Sequence, residues 1–164
     1  MPDHMTKTLL KPDTSGCKPF ELNAFFPYRI RVFYTLVSSA VAGIYQQDHD
    51  IAPAEWRCLV ILNLDGQMTA ADIVLASSMD KVTVSRAISK MRQNGWVKES
   101  ANINDRRSKL LELSDDGKAV LLELLPKTLE VERQLLDGID DDQLAVFYDT
   151  IAKITANKAR MSGR

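Results

Sequence analysis

Ser77 to Ser114 reads SSMDKVTVSRAISKMRQNGWVKESANINDRRSKLLELS, and the fold turns on how this stretch is parsed. Asp80 is a helix cap, Lys81 to about Asn94 has helical periodicity, and Gly95 stops it. Trp96–Ser100 and Lys109–Leu113 then read as two short strands around a polar loop, Ala101 to Ser108. Lys81, Arg86, Lys90, Arg92, Lys98, Arg106, Arg107 and Lys109 place eight cations between residues 81 and 109, against only Glu99 and Asp105. The chain of 164 residues carries a net charge of −1. A basic island in a near-neutral chain points to a polyanionic partner for that island alone. Residues 110–150 do the opposite, with eleven acids against three bases.

Working outward, residues 1–21 hold three prolines and mixed polar residues, and read as a flexible arm. A long helix follows over residues 23–48. Phe26, Ile30, Phe33, Val37, Val41 and Ile44 recur at helical spacing, and Pro27 belongs in the first turn. Phe25, Tyr34, Leu36, Ala40 and Tyr45 widen this apolar band beyond what one side needs, so a second subunit is expected to cover the remainder. Asp48-His49-Asp50 breaks the helix, and Pro53 opens a second one to about Leu64, with Trp56, Leu59, Val60 and Asn63 on its inner side. Met68 is a minimal strand, and Thr69 caps a third helix to Ser77 carrying Ile73 and Val74. Beyond the hairpin, Ser114 caps a helix to about Leu136, kinked at Pro126, and Asp140 caps a last helix to about Ala159. The expected architecture is mainly α with a small β-hairpin. A winged helix-turn-helix lobe, about residues 52–113, is flanked by long helices at 23–48 and 115–159, all within one domain at 22–160.

Several function classes lack their residues. There is no nucleophile elbow, phosphate-binding glycine loop, HExxH motif or Cys/His cluster, so neither an enzyme, a metal site nor a cofactor is expected. His4 and His49 fall in arm and loop. Arg29 and Arg31 interrupt the most apolar region, which leaves no membrane-spanning run. Cys17 and Cys58 form no disulfide framework, and the first residues lack the apolar core of a signal peptide, so a cytoplasmic location is expected.

The fourth helix carries the chemistry. Val84, Ala87, Ile88 and Met91 line one side. The other presents Lys81, Val82, Thr83, Ser85, Arg86, Ser89, Lys90 and Gln93, with no carboxylate. Such a face suits the major groove of duplex DNA: arginine reads guanine, hydroxyls reach bases or phosphates, and Val82 meets a thymine methyl. The plain alternative is a solvated helix face, though those normally mix both signs. Asp105, Arg106 and Arg107 at the strand turn suit a minor groove, with Asp105 holding Arg107 in a fixed fork. A solvated turn with a local ion pair is the alternative there. A winged-helix module that binds another protein without reading DNA would fit the acidic helices, but it needs neither this wing tip nor this helix face.

With these residues in hand, the sequence resembles the MarR (multiple antibiotic resistance regulator) family of winged helix-turn-helix transcription regulators over roughly residues 22–156. Pro53-Ala54-Glu55-Trp56-Arg57 is similar to the family's entry to its second helix, Thr69 through Ala76 to the third, and Asp80-Lys81-Val82-Thr83-Val84-Ser85-Arg86 to the recognition helix. Asn94-Gly95-Trp96-Val97 resembles the step into the wing. Asp105-Arg106-Arg107 followed by Leu111-Glu112-Leu113-Ser114 and Gly117 resembles the wing signature, with Ser114 in place of the usual threonine. The resemblance implies a homodimer interlocked through its first, fifth and sixth helices, on a palindromic operator in double-stranded DNA. It implies that Arg107 enters the minor groove with Asp105 orienting it. It also implies a ligand-responsive repressor whose small aromatic or anionic effector meets Tyr28, Arg31, Tyr34 and Trp56, although each of these aromatics taken singly reads more readily as core. Cys17 lies too far upstream to match the oxidant-sensing cysteine of some relatives.

Overall fold

A computed structural model describes residues 20–162, apart from the side chains of Asp48 and Ser162. The expected arm, with His4 and Cys17, therefore lies almost wholly outside the described residues. The chain divides into two units, residues 1–38 and 39–164.

In the first unit, a 3-10 turn at Leu22–Ala24 precedes helix α1, Phe26–His49, whose residues from Ser39 onward belong to the second unit. The helix starts three residues later than its periodicity suggests. Phe25 stays extended after the turn, and Pro27 occupies the first turn of α1, where its missing N–H costs nothing. Phe26, Ile30, Val32, Phe33, Tyr34 and Leu36 are all exposed to solvent in the single chain.

The second unit holds the remaining elements: α2 (Pro53–Asp65), β1 (Met68–Thr69), α3 (Ala70–Ser77), α4 (Lys81–Gln93), β2 (Val97–Ala101), β3 (Lys109–Leu113), α5 (Asp115–Leu135) and α6 (Asp141–Ser162). The expected hairpin is the larger part of a three-stranded antiparallel sheet ordered β1-β3-β2. Val97 faces Leu113 and Ala101 faces Lys109 across the hairpin, while Met68 and Thr69 pair with Leu111 and Leu110. β1 ties the start of the helix-turn-helix to the wing.

α1 runs through Asp48 and His49, past the expected break. It ends at Asp50, whose φ of 51° is left-handed, with Ile51 N donating to Tyr45 O at 3.1 Å. On α2 the inner side is Glu55, Cys58, Leu59 and Leu62, with Trp56 and Val60 half-buried and Asn63 exposed. Leu62 takes the place expected for Asn63 because two turns of helix bring positions 55, 58, 59 and 62 to one stripe. The α4 stripe of Val84, Ala87, Ile88 and Met91 is buried as its spacing requires. These residues join Ile73, Trp96, Val97, Leu111, Leu113, Leu121 and Leu124 in one core. Burying side chains of this size contributes roughly 1.5–3 kcal/mol each.

One close approach locks the wing to α5. Ser114 N donates to Trp96 O at 2.9 Å, and Ser114 Oγ donates to Gly95 O at 2.6 Å while accepting from Gly117 N at 3.0 Å. A Cβ on Gly117 would lie 2.2 Å from Trp96 O, a contact with backbone that no rotamer relieves. α5 passes continuously through Pro126. Its outer positions Leu122, Leu129 and Leu135 are exposed, and on α6 Leu144 is partly covered while Val146, Phe147, Ile151 and Ile154 stand in water.

Gly117→Ala, ordinarily a helix-stabilising change, is expected to destabilise the folded chain by about 3 kcal/mol. Urea denaturation against a control Ala119→Gly variant measures it.

Candidate nucleic-acid interface

α3 and α4 are joined by a turn that the sequence caps at both ends. Thr69 Oγ1 accepts from Asp72 N at 3.2 Å, and Asp72 Oδ2 accepts from Thr69 N at 2.9 Å, a reciprocal box at the α3 start. Ser78 takes a left-handed φ of 56°, and Met79 N donates to Ser77 Oγ at 3.2 Å. Arg57 reaches from α2 to Ser77 O at 3.4 Å, using a carbonyl that the helix end leaves open. Asp80 Oδ1 then accepts from Thr83 N at 2.9 Å to start α4. Hydrogen bonds from Thr69 and Thr83 hold the carboxyls of Asp72 and Asp80 below the ordinary range.

This geometry sets which α4 side chains face outward. Lys81, Val82, Ser85, Arg86 and Ser89 are exposed. Val82, at 58% exposure, is an apolar group held in water on an otherwise polar face. Thr83 is half-buried, and its hydroxyl donates to Asp80 Oδ2 at 2.6 Å, so only its lone pairs are left for a partner.

The wing tip is built differently from the expected fork. Asp105 Oδ1 accepts from the backbone N–H of Arg107 at 3.0 Å and leaves the guanidinium alone. Asn102, absent from the sequence-based candidates, organises the rest. Its Oδ1 accepts from Asn104 N at 3.0 Å and Asp105 N at 3.3 Å, and its Nδ2 donates to Ser108 Oγ at 2.8 Å. Ser108 N closes the turn on Asp105 O at 3.0 Å. The Asn-x-x-Asp-x-x-Ser spacing is the signal that reveals it, since short polar side chains cap turns two or three residues away. Ile103, 94% exposed, and Arg106 and Arg107 project from this braced loop.

Charge is sorted within the basic island. Arg92 and Lys109 both bind Glu99, Lys109 at 2.9 Å, and Lys109 is the first cause holding that carboxyl below the usual range. Lys98 lies 3.7 Å from Asp115. Lys90 turns away from the outer face to Asp50, 2.9 Å from its carbonyl and 3.2 Å from Oδ2, and that bond raises its pKa. Among the described residues, Lys81, Arg86, Arg106 and Arg107 enter no ion pair. An open groove between α3, α4 and the wing brings Lys81, Ser85, Ser89 and Arg107 to one concavity, while Val82, Arg86 and Arg106 lie outside it.

The remaining candidates are dispersed. Tyr28 is half-buried, and Arg31 and Tyr34 are exposed, all on the α1 segment of the first unit. Trp56, on α2, stacks on Tyr45 with ring centroids 5.3 Å apart and planes at 12°. Burial pushes the Cys58 thiol up to about 11, which leaves it without thiolate character at neutral pH. No helix among the described residues is long and apolar enough to cross a membrane.

Solved structures with this architecture are winged-helix regulators. A mutant MarR from E. coli complexed with operator DNA superposes with a TM-score of 0.74 at 20% identity, over 82% of this chain and 98% of that one. The structure of Bordetella bronchiseptica BpsR, described as showing the mechanism for regulation of its DNA binding by 6-hydroxynicotinic acid, gives 0.73 at 22% identity over 84% and 98%. These likenesses establish the fold class, a winged helix-turn-helix with long flanking helices. The MarR family model matches residues 51–109. An uncharacterized HTH-type transcriptional regulator, YwoH of Bacillus subtilis (strain 168), is 30% identical over 94 residues, which span 57% of this chain and 68% of that protein. The chain belongs to the MarR family and is a DNA-binding transcriptional regulator.

The depressed carboxyls predict a pH signature. A group whose folded pKa is lowered adds stability above its unfolded value, about 3.9 for aspartate, and that stability fades as pH falls through the lowered folded value. Asp80→Asn is therefore expected to flatten the loss of stability below about pH 4. Urea midpoints measured across the acid range for wild type and variant check this.

Proposed function

We propose that this regulator binds a palindromic operator as a homodimer, acts as a repressor in the cytoplasm, and releases DNA on binding a small aromatic or anionic effector. The observation that carries the reading is the division of the basic island. Intramolecular acids take up Lys90, Arg92, Lys98 and Lys109, while Lys81, Arg86, Arg106 and Arg107 keep unmatched charge on the outer face of α4 and at the wing. A folded chain gains nothing from that arrangement unless a polyanion supplies the other half.

In this reading α4 lies in the major groove. Arg86 and Lys81, with Val82, Ser85 and Ser89, face base edges and phosphates, and Thr83 serves as an acceptor. Arg107 and Arg106 enter the adjacent minor groove from a loop that Asp105 and Asn102 have already ordered, so little entropy is lost on docking. The exposed apolar residues of α1, α5 and α6 support a two-fold dimer, since single chains rarely leave such surface in water. Two-fold pairing places the α4 helices about one DNA turn, about 10 bp, apart. The effector candidates are Tyr28, Arg31, Tyr34 and Trp56. Trp56 has the weakest case, because Tyr45 already covers one of its faces. An effector that favours a different separation of the two reading heads lowers affinity by population shift. The small aromatic acid named for BpsR supports this class of effector.

Selection of bound fragments from a genomic DNA pool, followed by salt titration of the recovered site, tests the function directly. A sequence-preferring complex whose log affinity falls steeply with log salt is expected, and recovery of no preferred sequence would refute the reading. Arg107→Ala is expected to weaken the complex by about 1–3 kcal/mol, while Lys153→Ala on α6 leaves it unchanged. Light scattering at micromolar concentration should return twice the mass of one chain.

A further inference from the structure

We infer that Lys90 is a positioning residue that clamps α4 to the α1–α2 junction, and not a contact to DNA phosphate. The inference rests on the DNA-binding reading above and changes the role of one residue within it.

Three observations meet at this residue. First, the Lys90 ammonium meets three oxygens of one junction: it donates to Asp50 O at 2.9 Å and Asp50 Oδ2 at 3.2 Å, and pairs with the Glu55 carboxylate across 3.7 Å. Second, Glu55 is a buried carboxylate whose side chain keeps only 7% exposure. It accepts from Ala52 N at 3.1 Å, and Lys90 is the cation in ion-pair range. An exposed lysine–aspartate pair alone contributes little, but a buried carboxylate is costly to leave without its cation. Third, the α1 terminus is a left-handed cap: Asp50 N donates to Gln46 O at 3.1 Å, and Asp50 occupies the left-handed position that glycine fills most cheaply. An aspartate there accepts backbone strain, and its carboxylate and carbonyl are both used on Lys90.

The clamp lies in the last turn of α4, where a small rotation swings Lys81, Ser85 and Arg86 at the other end. The junction also meets α5, because His49 Nε2 lies 3.1 Å from Glu123 Oε2. The same short segment therefore touches the reading helix on one side and a long flanking helix on the other.

Three variants decide the matter: Lys90→Met, the pair Asp50→Gly with Glu55→Gln, and the three changes combined. Asp50→Gly keeps the left-handed cap, so folding is preserved where Lys90→Met alone leaves Glu55 uncompensated. Affinity for the selected operator is measured across salt, and amide hydrogen exchange is read along α4 in the free protein. Both partial variants are expected to weaken binding about five- to tenfold, with the combined variant no weaker than either. All should share the wild-type salt slope, and Ile88 to Gln93 should exchange faster in each. A salt slope reduced by about one unit per half-site in Lys90→Met, with Asp50→Gly/Glu55→Gln binding as wild type, makes Lys90 a phosphate contact and overturns the clamp. Additive losses, or unchanged exchange in α4, overturn it equally. If the wild type selects no DNA, the functional reading fails on its own, and the exchange measurement still decides the clamp.

Discussion

Ser114 holds the molecule's working parts in register. Its backbone N–H and hydroxyl bond the Trp96 and Gly95 carbonyls that follow α4, its Oγ receives the Gly117 N–H in the first turn of α5, and it directly follows the last residue of β3. One residue thus fixes the distance between reading helix, wing and the start of a long flanking helix. That convergence is possible only because Gly117 has no side chain where Trp96 O sits. Everything outward of it inherits its precision: the sheet is buried through Val97, Leu111 and Leu113 on the same side, and Trp96 seals the core behind it.

Charge obeys a similar division between holding and presenting. Glu99 spans β2 to both α4 and β3 through Arg92 and Lys109, so two of the island's cations act as internal struts. The caps at Thr69 and Asp80 place acids where helix starts favour them, which keeps the outer face of α4 clear of carboxylates. A net charge near zero is thus compatible with a strongly polarised surface, because eleven of the twenty-two acids fall within residues 110–150.

Local rules were the most legible. Thr69, Asp80 and Ser114 all cap the helices their positions announce, and the buried stripe of α4 follows from spacing alone. Where reading failed, the deciding contact was distant or subtle. Lys90 sits on the outer face by helical wheel, but its partner is forty residues earlier, and no pattern along the chain encodes that pairing. Asp105 and Arg107 are two residues apart, and the carboxylate takes the backbone N–H of Arg107 and not its guanidinium. The minimal strand expected at Met68 is present as β1, but its pairing with β3 at Leu111 and Leu110, which makes the hairpin a three-stranded sheet, is not written in the local pattern. Asn63 and Leu62 differ by a single position, which periodicity places no better than the start of the helix is known.

The wing loop is held entirely from within. Asn102, Asp105 and Ser108 supply its bonds, and the side chains of Ile103, Asn104 and Arg106 take no part in them. Those three positions are therefore free to drift. Exchanging them leaves the bonds of the turn, the sheet and the core in place, so the surface chemistry of the wing tip is separable from its fold.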